Sequence, residues 1–395
     1  MIRVGIPVVI RGDAWLGGKN YFLSLLGALD KFAPDHYRFF CLTNRSDLFP
    51  KSYTKKIQVV QCDHLTASSP RISKLCKYFQ TDIRIAYYAR KFKLTVLTHT
   101  SPGVRLTPPA MYWMPDFQHC HLPHLFSEDE LRNRNRLIAM AAERSGHLLL
   151  SSHSAAQDFK CFFPEYKQTK THVVQFSPNI TLADFDIAWR TLESAKKQSL
   201  ADRGYFYLPN QFWIHKNHKV VLEALKKVSS DIKVVATGYT SDHRNASHFS
   251  ELQSFIEEYN LQDKFVVLGL VSRDEVMSLM AGAIAVINPS FFEGWSTTVE
   301  EAKVFGKRMI LSDIPVHREQ CGARAHYFEP NDANTLGVLL EQMYEAKGEI
   351  LEHSINDSAS YRNLELSQKR FADGYLNALE HLYDDTLLGS KDNDK

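Results

Sequence analysis

The chain has no C-x-x-C pair; its six cysteines, Cys41, Cys62, Cys76, Cys120, Cys161 and Cys321, are scattered along it. That distribution excludes a paired redox or metal motif and fits reduced structural thiols. No apolar run reaches membrane-spanning length. The opening stretch Met1 to Pro7 is too short and too interrupted for a signal peptide, so a cytosolic chain is expected. Neither sign of charge dominates: 47 Lys and Arg stand against 45 Asp and Glu, for a net charge of +2. This balance argues against a dedicated nucleic-acid binder. There is no internal repeat, and no low-complexity tract beyond the polar tail Ser390 to Lys395.

What is present is a soluble globular composition, 44% hydrophobic and 23% charged, over 395 residues. That length is too great for one ordinary core, and two domains are expected. Short apolar runs predict strands at Val4 to Ile10, Arg38 to Leu42, Ile57 to Val60, Leu94 to Thr98, Ala110 to Met114, His147 to Ser151 and His172 to Phe176. A helix at Tyr21 to Phe32 and helical patterns over Ile72 to Phe92 and Ser127 to Ser145 lie between them. Further strands are predicted at Tyr205 to Leu208, Ile232 to Ala236, Phe265 to Leu268, Ala283 to Ile287 and Met309 to Leu311. Helices follow at Pro330 to about Lys347 and Tyr361 to Leu382. Such alternation means an α/β fold with parallel sheets covered on both faces, whose ligands bind at the carboxyl ends of the strands.

Strand character is lost from Asn179 to Arg203. The expected division is a first domain at 1–185, a linker at 186–203, a second domain at 204–360, a C-terminal helix at 361–386 and a tail at 387–395.

The stretch Pro289 to Gly306, PSFFEGWSTTVEEAKVFG, reads as strand end, turn and helix start. Ser296, Thr297 and Thr298 can cap the helix, and Thr297 with Glu300 and Thr298 with Glu301 have capping-box spacing. Free amides there suit a phosphate, and the flanking carboxylates Glu293 and Glu301 can each accept two hydrogen bonds from a vicinal diol. The alternative is that Glu301 only caps its helix and Glu293 is solvated.

Three earlier segments carry further candidates. Arg11 to Asn20 is neither a P-loop nor a dinucleotide fingerprint, because Gly12, Gly17 and Gly18 have the wrong spacing and Asn20 stands where a P-loop needs Ser or Thr. It is either a tight turn or a backbone that lets a ligand approach. Trp113 to His124 concentrates Asp116, His119, His121 and His124 at a strand's end. A metal site, surface histidines and a substrate contact are the three readings. Pro209 to His218 follows a strand and puts Lys216 near a helix start, either solvated or beside a bound phosphate.

Taken in order, the Gly17-Gly18 loop, the Asp116 segment, the Lys216-Asn217 segment and Glu293 to Glu301 resemble the retaining glycosyltransferases of family 4, with their E-x7-E signature. The resemblance implies the GT-B fold: two Rossmann-like, doubly wound domains with a cleft between them and a terminal helix returning to the first. It implies a retaining hexosyltransferase that uses a nucleoside-diphosphate sugar, with a glycan or lipid-linked acceptor in surface polysaccharide or lipopolysaccharide biosynthesis. Glu293 would hold the donor sugar and Glu301 the ribose. Lys216, Gly17, Gly18, Ser296, Thr297 and Thr298 would face the diphosphate. No cofactor and no metal are implied. Pro115 stands where the family's histidine aligns, so its role passes to His119 or rests on Asp116. Gln211 stands where the family has Arg, which removes a charge from the diphosphate site. A nucleotide-sugar epimerase and a catalytically silent sugar-nucleotide-binding module are the alternatives. Peripheral contact with the inner face of a membrane, through Arg71, Lys74, Lys77, Arg84, Arg90, Lys91 and Lys93, is set against plain solvation of the same residues.

Overall fold

The computed structural model describes residues 1–10, 16–66, 69–100, 106–181, 184, 204–229, 231–242, 244–348 and 357–392. The chain divides into two compact units, Met1–Asn179 with Leu366–Lys395, and Ile180–Glu365. The linker expected at 186–203 lies outside the described residues.

The first unit is built on β1 (Ile2–Val8), β2 (Tyr37–Thr43), β3 (Ile57–Gln61), β4 (Val96–Thr98), β5 (Ala110–Met114), β6 (His147–Leu150) and β7 (Lys170–Val173). They form one parallel sheet in the order β3-β2-β1-β4-β5-β6-β7. Central strands of such a sheet are apolar throughout because helices cover both faces. Accordingly Val4, Ile6, Phe39, Leu42, Val96 and Leu149 are fully buried.

The helix Leu16–Phe32 packs Phe22, Leu25, Leu26 and Leu29 into this core, the four residues expected on its buried face. It starts five residues before the expected Tyr21, so Gly17 and Gly18 sit in its first turn rather than in a loop ahead of it. Hydrophobic periodicity marks only the part of a helix that is packed, and the first turn here carries no such stripe. Residues 11–15 lie outside the described residues. Phe371, Ala372, Tyr375, Leu376 and Leu379 of the terminal helix Asp357–Asp392 bury themselves in the same core. That helix runs on to Asp392, through part of the stretch expected to be a tail.

The long pattern at 72–92 is two helices, Pro70–Phe79 and Ile83–Lys91. Gln80 adopts the left-handed conformation at the end of the first, and the Asp82 side chain caps the second by accepting from the Arg84 amide. Asp satisfies a helix-start amide better than it sustains a helix interior, so the break falls there. Ser127 caps the helix Glu128–Ser145 in a complete capping box with Glu130.

The second unit contains β8 (Phe206–Leu208), β9 (Val234–Thr237), β10 (Phe265–Gly269), β11 (Ala285–Asn288), β12 (Arg308–Ser312) and β13 (His326–Phe328). All pair in parallel, in the order β10-β9-β8-β11-β12-β13. The three-residue β13 was not expected, being too short to carry a period. In this doubly wound order the connections reverse direction between β8 and β11. Chain leaving the carboxyl ends of those two strands therefore splays to opposite faces and leaves a crevice. Gly238, just past β9, is held against it: a Cβ there would lie 2.4 Å from the Asn210 carbonyl oxygen. Only glycine lets the backbone come so near. Among the described residues no helix is long and apolar enough to cross a membrane.

Candidate functional site

Two loops leave the reversal point of the second sheet. The first, after β8, runs from Pro209 through a short 3-10 turn, Ile214–Lys216, into the helix His218–Leu225. The second, after β11, runs from Pro289 into the helix Thr297–Val304. Side chains and backbone join them. Asn217, in the left-handed conformation, donates from Nδ2 to the carbonyls of Pro289 (3.1 Å) and Pro330 (2.7 Å). The Phe291 amide donates to the His215 carbonyl, and Asp242 accepts from the Ile214 amide. Lys216 is thereby held by backbone on both sides.

Its ammonium lies 2.7 Å from Glu293 Oε1, with the two side chains only 15% and 9% exposed. Ser290 Oγ is 2.7 Å from the same carboxylate oxygen and from Asn288 Oδ1, and donates to one of them. Asn288 Nδ2 donates to Ser296 Oγ at 2.8 Å, and Asn288 Oδ1 accepts from Asn210 Nδ2 at 3.0 Å. Ser312 donates to the Ser290 carbonyl, and His317 Nδ1 donates to the Ser312 carbonyl. Burial acts most strongly on Glu293 and would raise its pKa. The Lys216 ammonium and neighbouring groups outweigh it and bring the carboxyl down to about 2. Glu293 is therefore an ionised, fixed acceptor throughout the neutral range.

Glu301 differs. Burial raises its pKa above the ordinary carboxylate value, and Arg273, 3.3 Å away, opposes this only in part. The two carboxylates belong to separate networks in one unit, one tied to Lys216 and the other to Arg273.

The helix start is capped by Ser296, whose side chain accepts from the Val299 amide. The two capping boxes expected from spacing do not form. Glu300 turns to Lys303 and Gln320, and Glu301 to Arg273. The Ser296 amide is itself taken by Gln320 Oε1 at 3.1 Å, so the amides left for an anion are those of Thr297 and Thr298. Thr298 Oγ1 lies 3.3 to 3.4 Å from the Asn210 side chain and the Pro209 carbonyl. Gln211 is half-buried on the first loop.

The remaining candidates lie in the first unit. Asp116 accepts from the Gln118 amide and pairs with Arg134 at 3.7 Å, its side chain 28% exposed. His119 is only 2% exposed, with Nε2 on Asn135 and its ring against Phe117 and Phe126. Burial lowers its pKa. The spacing suggested a loop histidine, whereas the short helix Gln118–His121 turns it into the core. Gly17 is exposed and Gly18 buried. Among the described residues no group of three or more His, Cys, Asp or Glu could hold a metal ion.

Sequence reasoning missed Asn210, Asn288, Ser290, Arg273, Asp242 and Gln320. Asn288 had a readable signal, a polar residue closing the otherwise apolar strand run Ala283 to Ile287. Arg273 and Gln320 had none, because separate elements bring them to the site.

His215 in the first loop, His218 at the start of the helix after it and His248 at the start of the helix His248–Glu258 are all buried. His218 stacks on Phe212 at 4.2 Å. Burial depresses His215 and His218 to about 3 and lowers His248 as well. They fold neutral, whereas in the unfolded chain they take up protons below about 6.5. The unfolded state then binds more protons, so stability falls as pH drops below that value. The expected result is a melting temperature that is flat above pH 7 and declines from pH 6.5 to pH 5. His218→Phe, which keeps the stack, should shallow the decline; an unchanged slope would show that these imidazoles do not drive it.

Residues 190–360 match the model of the glycosyl transferases group 1. Over 328 residues the chain is 25% identical to the O-antigen chain mannosyltransferase RfbU of Salmonella typhimurium, covering 81% of this chain and 85% of the relative. Among solved structures it resembles the sucrose-phosphate synthase of Thermosynechococcus elongatus, with TM-score 0.69, 14% identity, and coverage of 96% and 100%. It also resembles Anabaena HepE in complex with UDP and glucose, with TM-score 0.68, 14% identity and the same coverages. The fold of the two Rossmann-like units is GT-B, and the residues matched by the group 1 model lie within the second unit.

Proposed function

We propose that this protein is a glycosyltransferase that moves a hexose from a nucleoside-diphosphate sugar to a hydroxyl of a glycan or lipid-linked acceptor, with retention of configuration, in the assembly of lipopolysaccharide or another surface polysaccharide. The observation that carries the reading is the buried Lys216–Glu293 pair, set beside the first-turn amides of Thr297 and Thr298 at the reversal point of the second sheet. The likeness to an O-antigen mannosyltransferase supports the pathway, and HepE, crystallised with UDP and glucose, supports the donor class.

In this reading the reaction breaks the bond between the sugar and the diphosphate while the acceptor oxygen attacks from the same face. Negative charge grows on the departing diphosphate. Lys216 and the Thr297 and Thr298 amides oppose it, and their value is high because they are fixed before the reaction begins. Glu293 and Glu301 retain the roles the family pattern gives them, as acceptors for the hydroxyls of the donor sugar and of the ribose. Gln211 offers a neutral hydrogen bond where an Arg would offer charge, so the leaving group depends more heavily on Lys216. In the first unit, the Gly17-Gly18 turn is proposed to face the diphosphate and the Asp116 carboxylate to serve the acceptor side. His119 is too deeply buried for that task.

The test is a transfer assay with labelled GDP-mannose, UDP-glucose, UDP-galactose and UDP-N-acetylglucosamine on lipid-linked saccharide acceptors, with the product anomer read by NMR. Transfer with the donor's anomeric configuration kept supports the proposal, and an inverted product overturns its retaining part. Interconversion of a donor without acceptor would make the chain an epimerase. Nucleotide binding without turnover of any donor would make it a silent module.

A further inference from the structure

We propose that Arg273 is a positioning residue for the donor's ribose. It holds Glu301 by one carboxylate oxygen and leaves the other to accept from the ribose hydroxyls, so that the site prefers a ribonucleotide to its 2′-deoxy form. This role rests on the donor reading proposed above and adds to it a residue that the family pattern did not supply.

Arg273 opens the helix Arg273–Gly282 directly after Ser272, which caps that helix in a complete capping box with Glu275. A cation in the first turn of a helix meets the positive end of the helix dipole, so the helix itself gives no reason for an arginine there. The guanidinium turns instead to the helix Thr297–Val304, where its Nη1 donates to Glu301 Oε1 at 3.3 Å. The Glu301 side chain is 8% exposed and that of Arg273 32%, so the arginine reaches a nearly closed carboxylate from its more open side.

Among the described residues, Oε2 of Glu301 receives no hydrogen bond. Glu293 is arranged in the same way: Lys216 Nζ, Ser290 Oγ and Asn288 Nδ2 all lie on its Oε1. Each carboxylate is anchored through one oxygen and presents the other. A carboxylate oxygen so little solvated is costly to leave without a donor, and a ligand hydroxyl supplies one.

Charge explains why the anchor is an arginine. Burial pushes the pKa of Glu301 up, and Asp184 adds a like charge that acts in the same direction. Burial pushes Tyr207 up as well, so this neighbour on β8 stays neutral beside Glu301. Arg273 opposes them through its charge and its hydrogen bond. Without it, Glu301 would keep its proton to higher pH and spend an oxygen on that proton in place of the diol.

The experiment is isothermal titration calorimetry of the full chain with UDP, GDP, 2′-deoxy-UDP and 2′-deoxy-GDP between pH 6.5 and pH 9. Wild type should bind at least one ribonucleotide about tenfold or more tightly than its 2′-deoxy form, the worth of a hydrogen bond to a charged acceptor. In Arg273→Gln that ratio should fall to about threefold or less at pH 7, because the raised Glu301 pKa leaves the acid protonated there. It should recover toward pH 9, where Glu301 loses its proton unaided. Arg273→Lys keeps the charge and should keep most of the ratio. The double variant Arg273→Gln with Glu301→Gln leaves no buried charge unpaired and should match Glu301→Gln alone, since the two residues act as one. That comparison carries the test if Arg273→Gln does not fold, and a further fall in the double variant overturns action through Glu301. A wild type without ribose preference overturns the proposal. So does an Arg273→Gln protein that keeps the wild-type ratio at every pH, or that loses affinity for both forms equally; each of these leaves the donor reading standing. Binding of no nucleoside diphosphate by wild type overturns both together.

Discussion

Lys216→Ala should lower kcat for sugar transfer by about 10²- to 10³-fold, the effect of removing one preorganised group that meets charge developing in a transition state. KM for the donor should change much less, because the charge on the diphosphate grows as its bond to the sugar breaks. Glu293→Gln should fall within the same range for a different reason. It leaves the Lys216 ammonium in a space 15% exposed with a neutral amide in place of its counter-ion. Both single changes should also lower the melting temperature, since breaking a buried pair from one side costs about 3 to 5 kcal/mol. The double variant Lys216→Met with Glu293→Gln separates the two roles. It removes the uncompensated charge, so stability should return while activity stays low. A double variant that regained transfer along with stability would reduce the pair to a structural tie and remove the main support for the proposed chemistry.

Phe371→Ala should be the most destabilising simple truncation in the first unit. The ring is fully buried in the core formed by β1, the helix Leu16–Phe32 and the terminal helix, close to Tyr21 and Phe176. Deleting it removes apolar burial and leaves a cavity, together about 3 to 5 kcal/mol. For a unit of this size that corresponds to a drop in melting temperature on the order of 10 °C. Differential scanning calorimetry reads it directly. A loss below about 1 kcal/mol would mean that the terminal helix does not hold the core as described. Leu366, on the same helix and half exposed, is the control, and its change to Ala should fall within about 0.5 kcal/mol of wild type.

How much of this was legible depends on the distance over which each feature is decided. Buried parallel strands announce themselves, since both faces must be apolar: 12 of the 13 strands coincide with or overlap the expected runs. Caps depend on neighbours within a turn, and a Ser followed three residues later by Glu is their local signature. Ser127 with Glu130 and Ser272 with Glu275 form boxes, and Ser152 accepts from the Ala155 amide. The same rule failed at Thr297 and Thr298. The helix starts at Ser296, and the carboxylates of Glu300 and Glu301 find stronger partners in Lys303, Gln320 and Arg273. Local spacing offered a bond that tertiary competition withdrew. His119 shows the same limit, because spacing cannot tell which way a four-residue helix turns its side chains.

By itself, then, the sequence determined the class of fold, the succession of strands and helices, and the residue types gathered at the ends of β8 and β11, because periodicity and turn chemistry act over a few residues. Only the tertiary structure decided that Lys216 and Glu293, 77 residues apart, would share one buried ion pair. It also decided that Arg273 would reach Glu301. Each of these depends on which elements come to lie side by side, and sheet order, not local pattern, fixes that.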